Sequence, residues 1–415
     1  MEAGREMEIA IVGAGIAGLG LGLNLKARGI EARIYEVAPE VKEIGVGITL
    51  LPHAMRELTA LGVADELAAI AIENKESAFF NRFGQLIYKE PRGKYAGYGY
   101  PEFGIHRGRL HMVLYKTACA RLGQDRVLTD RQCTGLAQEG GRVTLHMKQT
   151  STGATLPSVT ADMVIGCDGI NSAVRRHFYP TEEVAFAGIN TWRGVTRRKP
   201  ILDGRTYMRI GSIRTGKLVV YPIIDKLDDE GNQLINWMAE IESPEIGKND
   251  WNKPGRLEDF LPIYQDWRFD WLDVPELMKR ADMVLEYPMV DKDPIPRWTF
   301  GRVTLAGDAA HPMYPRGSNG AAPALIDART LADLIVREAG PEAALAAYEQ
   351  ARLEPASRVV RTNRENPPDF INIHVEDLTG DRPFENLDRY VTQAELRALS
   401  DRYKRIAGFA LEDLR

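Results

Sequence analysis

Ile9-Ala10-Ile11-Val12-Gly13-Ala14-Gly15-Ile16-Ala17-Gly18 is the stretch on which the reading of this chain turns. Residues 8–13 are short, β-branched and end in glycine, the pattern of a buried parallel strand. Residues 16–28 read as a helix, with Leu19, Leu21, Leu23 and Leu25 against a sheet and Gly29 as the stop. Residues 31–36 form a second strand ending at Glu36, which completes a βαβ unit. Gly13 allows the tight turn, Gly15 lets backbone approach a pyrophosphate, and Gly18 lets helix pack on strand. The helix start then offers N–H groups and the positive end of its dipole to phosphates. Glu36, 18 residues after Gly18, is placed to accept hydrogen bonds from a ribose diol. A ligand-free turn would account for the glycines; strand, helix and acid together point to a bound dinucleotide.

A second segment, Val303-Thr304-Leu305-Ala306-Gly307-Asp308-Ala309-Ala310-His311, repeats the pattern of a buried strand ending in glycine. A carboxylate at a strand's C-terminal end lies where α/β sheets bind ligands, although Asp308 also reads as a helix N-cap. Pro315-Arg316-Gly317-Ser318-Asn319-Gly320-Ala321-Ala322 then leads into a helix at 320–337. Its small residues leave backbone N–H groups open to an anionic acceptor such as the N1/O2 edge of a reduced flavin. Asp168-Gly169-Ile170-Asn171-Ser172-Ala173-Val174-Arg175 follows a buried strand at 162–166, where a plain turn is the simplest reading. Arg107 opens a helix over 107–122 and is equally a surface arginine or an anion clamp.

At 415 residues the chain exceeds one small core. A formal charge of -5 gives no basic field for nucleic acid, so no nucleic-acid partner is expected. Three cysteines, Cys119, Cys133 and Cys167, form no close-spaced ligand set, so no metal is expected, and their sparseness fits a reducing compartment. No apolar run reaches the roughly 18 residues of a membrane span, and the first residues lack the apolar core of a signal peptide. Residues 1–7 read as a lead-in, and the expectation is a cytoplasmic enzyme, monomeric or homodimeric.

Between the two segments the texture changes. Stretches 188–197, 205–211, 217–224 and 233–241 are β-rich and carry Trp192, Tyr207, Tyr221 and Trp237, which suggests an antiparallel sheet facing a ligand on one side. Residues 242–256 read as polar loop, 257–266 and 274–281 as helices, 341–352 as helix, 366–390 as loop and 392–407 as a charged helix. The fold class is α/β. The expected division is a discontinuous Rossmann-like domain over 1–72, 100–185 and 285–360, a substrate domain over 73–99 and 186–284, and a helical segment over 361–415.

The order GxGxxG, Asp-Gly, Gly-Asp resembles that of the class A FAD-dependent aromatic hydroxylases, the family of para-hydroxybenzoate and salicylate hydroxylases, over about residues 8–360. Within the family the likeness runs furthest toward the phenazine hydroxylases of pyocyanin biosynthesis. It is carried by Gly45-Val46-Gly47-Ile48, Ile105-His106-Arg107-Gly108, Trp192-Arg193-Gly194-Val195-Thr196, Asp250-Trp251-Asn252, Gly255-Arg256-Leu257-Glu258-Asp259, Tyr287-Pro288-Met289-Val290-Asp291 and Met313-Tyr314-Pro315. Lys42 and Ala322-Pro323 depart from the usual Arg and Ser-Gln.

The resemblance implies FAD as cofactor, NADH or NADPH and O2 as co-substrates, and oxygen transfer from a C4a-hydroperoxyflavin to an electron-rich aromatic ring. The cofactor contacts it implies are Gly13, Gly15, Ala17, Gly18, Glu36, Gly47, Arg107, Asp168, Asp308, Gly317, Gly320 and Ala321. For a small, carboxylated aromatic substrate the candidates are Arg193, Arg205 or Arg209 for the carboxylate, Tyr221 and Trp237 for stacking, and Pro315 beside them. Sheet core and solvent exposure are the competing explanations for these side chains. No catalytic base is assigned; His53, Tyr221, Pro315 and His311 are the candidates. Hydroxylation with loss of CO2, epoxidation, N-hydroxylation and a non-oxygenating flavin-binding redox protein remain open alternatives.

Overall fold

A computed structural model describes residues 7–243, 253–317, 320–365 and 370–414. The Asp250-Trp251-Asn252 string, Ser318-Asn319 and most of the 1–7 lead-in lie outside the described residues. The N-terminal strand Ile9–Val12 is the middle of a five-stranded, all-parallel sheet. Its neighbours are Met163–Gly166 and then Val303–Leu305 on one side, and Ala32–Tyr35 and then Val127–Leu128 on the other. All four residues of the central strand are buried, as a strand covered on both faces requires. Helices Ile16–Ala27, Arg107–Leu122 and Ala321–Arg337 cover the sheet, with Leu19, Leu21, Leu23 and Leu25 inside the same core as Leu325 and Leu331.

The second large element is an eight-stranded sheet. Its order is Lys253–Pro254, Met283–Asp291, Ala185–Arg198, Gln233–Glu242, Gly216–Ile224, Thr206–Ser212, Glu76–Phe80, Leu86–Pro91. Neighbours are antiparallel except Thr206–Ser212 with Glu76–Phe80. A three-stranded sheet of Gly47–Leu50, Phe103–His106 and Ile72–Glu73 joins the two large sheets. It rests on the larger one so tightly that a Cβ on Gly47 would lie 2.7 Å from Asn236 Cγ, and one on Gly104 2.5 Å from the Pro222 carbonyl.

Three segments differ from the sequence reading. The helix expected at 341–352 runs over Pro341–Glu365, through Pro355, because Ala356, Val359 and Val360 on its following turn are buried. Part of the loop expected at 366–390 is the helix Phe370–Thr379, whose Ile371 and Val375 pack with Phe79 and Ile87. Tertiary burial overrides a sequence rich in β-branched residues there. The helix expected at 257–266 is short, with one turn at Leu261–Tyr264. No described helix is long and apolar enough to cross a membrane.

Candidate active site

The site begins at the glycine turn. Gly13 has φ +102°, and a Cβ there would sit 2.5 Å from the Cys167 carbonyl. A Cβ on Gly18 would sit 1.9 Å from the Gly13 carbonyl, so helix and turn touch through bare backbone. Gly15 is different: among the described residues nothing lies within 4 Å of a Cβ placed there. Open space at the middle glycine, at a helix start, is the space a pyrophosphate needs. The Glu36 carboxylate accepts from Ala14 N at 2.7 Å and Ala38 N at 2.8 Å, which ties the turn to the end of the neighbouring strand. A carboxylate has further lone pairs for a diol. The Ala14 carbonyl accepts from His111 Nε2 at 2.6 Å, so the helix that begins at Arg107 also holds the turn.

The segment around Gly307 meets this turn directly. A Cβ on Gly307, φ +59°, would lie 2.7 Å from that of Ala17. Asp308 follows on a turn of 3-10 helix and is solvent-accessible, yet burial of its carboxyl pushes its pKa up, with His311 and Arg107 partly offsetting this. Accessibility to small molecules together with dense surroundings is the signature of a carboxylate in a crevice. Beyond it, Pro315 and Gly320 are exposed, nothing described lies within 4 Å of a Cβ on Gly320, and Ala321 starts the next helix. Gly317, φ +93°, lies against Tyr403.

Asp168 stands beside Gly13, but its carboxylate is used locally. It accepts from Ser172 Oγ at 2.5 Å and Ala173 N at 2.7 Å, capping the helix Ala173–Phe178. The turn reading of Asp168-Gly169 therefore fits the side chain, and it is the backbone of Cys167 and Asp168 that lies against Gly13. Exposed Arg107 begins its helix, with its N–H donating to Val46 O at 2.9 Å.

The face of the eight-stranded sheet turned toward these loops follows from period two. Tyr221 is paired with Asn236, and Gly47 N donates to Asn236 Oδ1 at 2.7 Å, so this row faces the three-stranded sheet and Gly47. Register puts Tyr207, Arg209, Val219, Met238 and Arg193 on the same face. Tyr221 stacks on Tyr207, with centroids 4.8 Å apart. Arg193, half-buried, lies 5.1 Å over the Tyr287 ring. Arg209 is 5% exposed, donates to Ser77 Oγ at 2.8 Å, and lies between the rings of Phe79 and Tyr207 at 5.0 and 4.5 Å. Among the described residues it has no carboxylate partner.

Three candidates fall elsewhere. Trp237 is one residue out of phase: it packs with Trp192 and Phe260 on the opposite face and donates from Nε1 to Thr196 Oγ1 at 3.1 Å. It is sheet core and does not stack on a ligand between the sheets. Arg205 bonds to the Glu73 carbonyl and carboxylate at the sheet's margin. His53, 1% exposed, is stacked on Phe409 at 5.0 Å beneath the C-terminal turn.

A family model described as an FAD-binding domain matches residues 6–203 and 289–363. The chain belongs to the FAD-binding domain family. It is 39% identical over 372 residues, 88% of this chain and 91% of the relative, to "Phenazine 1,6-dicarboxylic acid hydroxylase PhzS" of Lysobacter antibioticus. It is 32% identical, over 87% of this chain and 88% of the relative, to "3-amino-4-hydroxybenzoate 2-monooxygenase PtmB3" of Streptomyces platensis. Among solved structures a salicylate hydroxylase substrate complex shares the fold, with a TM-score of 0.74 and 21% identity over 98% of this chain and 96% of that one. The protein is a flavin-dependent aromatic monooxygenase that uses FAD, NAD(P)H and O2. The residues present fit FAD: the family's glycine turn is open at Gly15, an acid stands at the adjacent strand end, and an accessible carboxylate lies in the crevice that Gly307 closes onto the turn.

Three contributors to this flavoprotein site escape the sequence reading. Arg175, fully buried, donates to the carbonyls of Ala309 and Ala310 at 3.1 and 2.8 Å and is paired with Glu182, so it fastens the Asp168 loop to the Asp308 turn. Asp327, also fully buried, accepts from Gly307 N at 3.1 Å, His311 Nε2 at 2.5 Å and Arg352 Nε at 2.7 Å. Asn236 positions Gly47. Asp327 has a readable signal, a lone carboxylate inside the apolar run Ala324-Leu325-Ile326-Asp327-Ala328. Arg175 has none beyond its place seven residues after Asp168.

Proposed function

We propose that the substrate is an aromatic acid, held with its carboxylate at Arg209 and its ring across the sheet toward Arg193. The observation that carries this is the buried guanidinium of Arg209, which lacks a carboxylate partner among the described residues and points from the face turned toward the flavin loops. An enclosed cation without a counter-ion is costly, and a substrate carboxylate would offset that cost with charge-assisted, bidentate hydrogen bonds. Arg193, Met238, Val219 and Arg209 form one row across four strands. The row places a cation at each end, about 14 Å apart at the backbone for three inter-strand steps. A fused or extended aromatic acid suits that span, and the dicarboxylic and hydroxybenzoic acids in the names of the relatives support an acid.

Bound FAD supplies hydride acceptance and oxygen activation. The chain binds it through the glycine turn, Glu36 and the Asp308 crevice, and orients the substrate ring through the arginine row. The apolar side chains Val219, Tyr207 and Tyr221 keep water from the ring. Where oxygen enters at the carbon that bears the carboxylate, CO2 leaves.

The test is FAD-loaded protein assayed for NADH and NADPH oxidation with a set of aromatic acids and their neutral amides, with peroxide, hydroxylated product and CO2 measured separately. Arg209→Ala is expected to raise KM for the acids by roughly ten- to a hundredfold and leave the amides unchanged. Equal losses for acids and amides would remove Arg209 from carboxylate recognition.

A further inference from the structure

The family match ends at residue 363, and the chain beyond it returns to the site. The helix Gln393–Ile406 is anchored to the edge of the large sheet by Gln393 Nε2 donating to Ile87 O at 3.0 Å. Ser400 Oγ and Lys404 Nζ both donate to the buried Glu90, at 2.9 and 2.7 Å. Arg92 adds a longer contact to Glu90 at 3.4 Å and is itself held by Glu102 at 2.8 Å. Burial opposes the ionisation of Glu90, but Lys404 and Arg92 hold its carboxyl below the ordinary range.

From that anchored helix Tyr403 reaches Gly317, in the segment ahead of the helix Ala321–Arg337 that we read as the flavin loop. A Cβ on Gly317 would lie 1.8 Å from the Tyr403 hydroxyl, which donates to Asn363 Oδ1 at 3.0 Å. Phe409, on the turn that follows, stacks on His53 with an interplanar angle of 14°. Phe79, Arg209, Gly317, Tyr403 and Phe409 line one narrow crevice together with the Glu90–Arg92–Lys404 cluster and Ser400. Three pieces of chain far apart in sequence therefore enclose Arg209: the sheet, the flavin loop and the C-terminal segment.

We infer that the helix Gln393–Ile406 and its following turn form the third wall of the substrate chamber, with Tyr403 and Phe409 as specificity-determining residues and Glu90 as the positioning residue that latches the wall. This rests on the reading of Arg209 as the carboxylate site. An aromatic pair on the wall limits the size of ring that can lie beside Arg209, and contact with Gly317 couples the wall to the flavin loop. Loss of the latch swings the wall and admits water, and reduced cofactor is then spent as peroxide.

The experiment uses FAD-loaded Phe409→Ala, Tyr403→Ala and Glu90→Gln, with Phe409→Leu and Tyr403→Phe as milder variants and exposed Arg402→Ala as a helix-surface control. Two readouts are taken: the ratio of kcat/KM for a tricyclic and a monocyclic aromatic acid, and iodide quenching of bound-flavin fluorescence without substrate. The alanine variants are expected to shift the ratio toward the tricyclic acid by about tenfold. They and Glu90→Gln are expected to increase quenching and the peroxide fraction, with Arg402→Ala at wild-type values. Where an alanine variant fails to retain FAD, the same two readouts on Phe409→Leu and Tyr403→Phe decide. Wild-type selectivity and quenching in variants that retain FAD would overturn the inference. Quenching needs no substrate, so it decides the wall separately even if acids and amides respond alike to Arg209→Ala.

Discussion

Asp327 shows how one buried carboxylate can organise a cofactor turn. It collects the N–H of Gly307, the ring of His311 and the guanidinium of Arg352 beneath the turn that presents Asp308. Burial raises its pKa, but His311 and Arg352 outweigh that and lower it from 3.8 to about 2. A carboxylate depressed on folding stabilises the native state fully above its unfolded value, and the contribution fades as pH falls through the folded one. Asp327→Asn is therefore expected to cost about 2 kcal/mol at neutral pH. The difference from wild type is expected to narrow from pH 4 toward pH 2, as read by thermal unfolding of both proteins across that range. A gap that widens on acidification would contradict the assignment.

At the scale of the element, the strand–turn–helix from Ile9 to Ala27 separates two uses of glycine. Gly13 is needed by the fold, since its φ is +102° and the Cys167 carbonyl occupies the place of a Cβ. Gly15 has φ -75° and open space, so its bareness serves a ligand. Gly13→Ala is expected to lower the yield of folded apoprotein, whereas Gly15→Val is expected to fold with a wild-type melting temperature and lose bound flavin, as read by absorbance of the purified proteins. Glycine spacing makes this element legible in the sequence. The helix Arg107–Leu122 is likewise legible to its ends, from Gly123 after its last residue. Phe370–Thr379 is not, because Phe370-Ile371-Asn372-Ile373 has weak helical propensity and is held by Phe79 and Ile87 from a distant hairpin. Trp237 defeats the sequence reading for a related reason: a strand's pattern shows that two faces alternate, but which face meets the cofactor depends on how another element docks.

For the whole molecule, the contact of Gly307 with Ala17 means that the cofactor crevice exists only when residues nearly three hundred positions apart are assembled. A ligand that binds the assembled crevice and not the unfolded chain must stabilise the fold. FAD at a hundredfold excess over its Kd is expected to add about 2.7 kcal/mol, seen as a raised melting temperature that depends on FAD concentration. Identical midpoints with and without FAD would be incompatible with this site.

The sequence by itself determined the chemistry of the cofactor turn, because strand, glycine spacing, helix and acid are local and each has a stereochemical reason. It also carried enough family strings to indicate an aromatic hydroxylase. Only the tertiary structure decided that Arg209 is buried with no carboxylate partner among the described residues while Arg205 is paired, that Trp237 packs on the opposite face, and that Tyr403 and Phe409 line the crevice beside Arg209. Charge compensation, the outward face of a strand and the closing of a wall are all set by docking between distant segments, and local pattern holds no record of that docking.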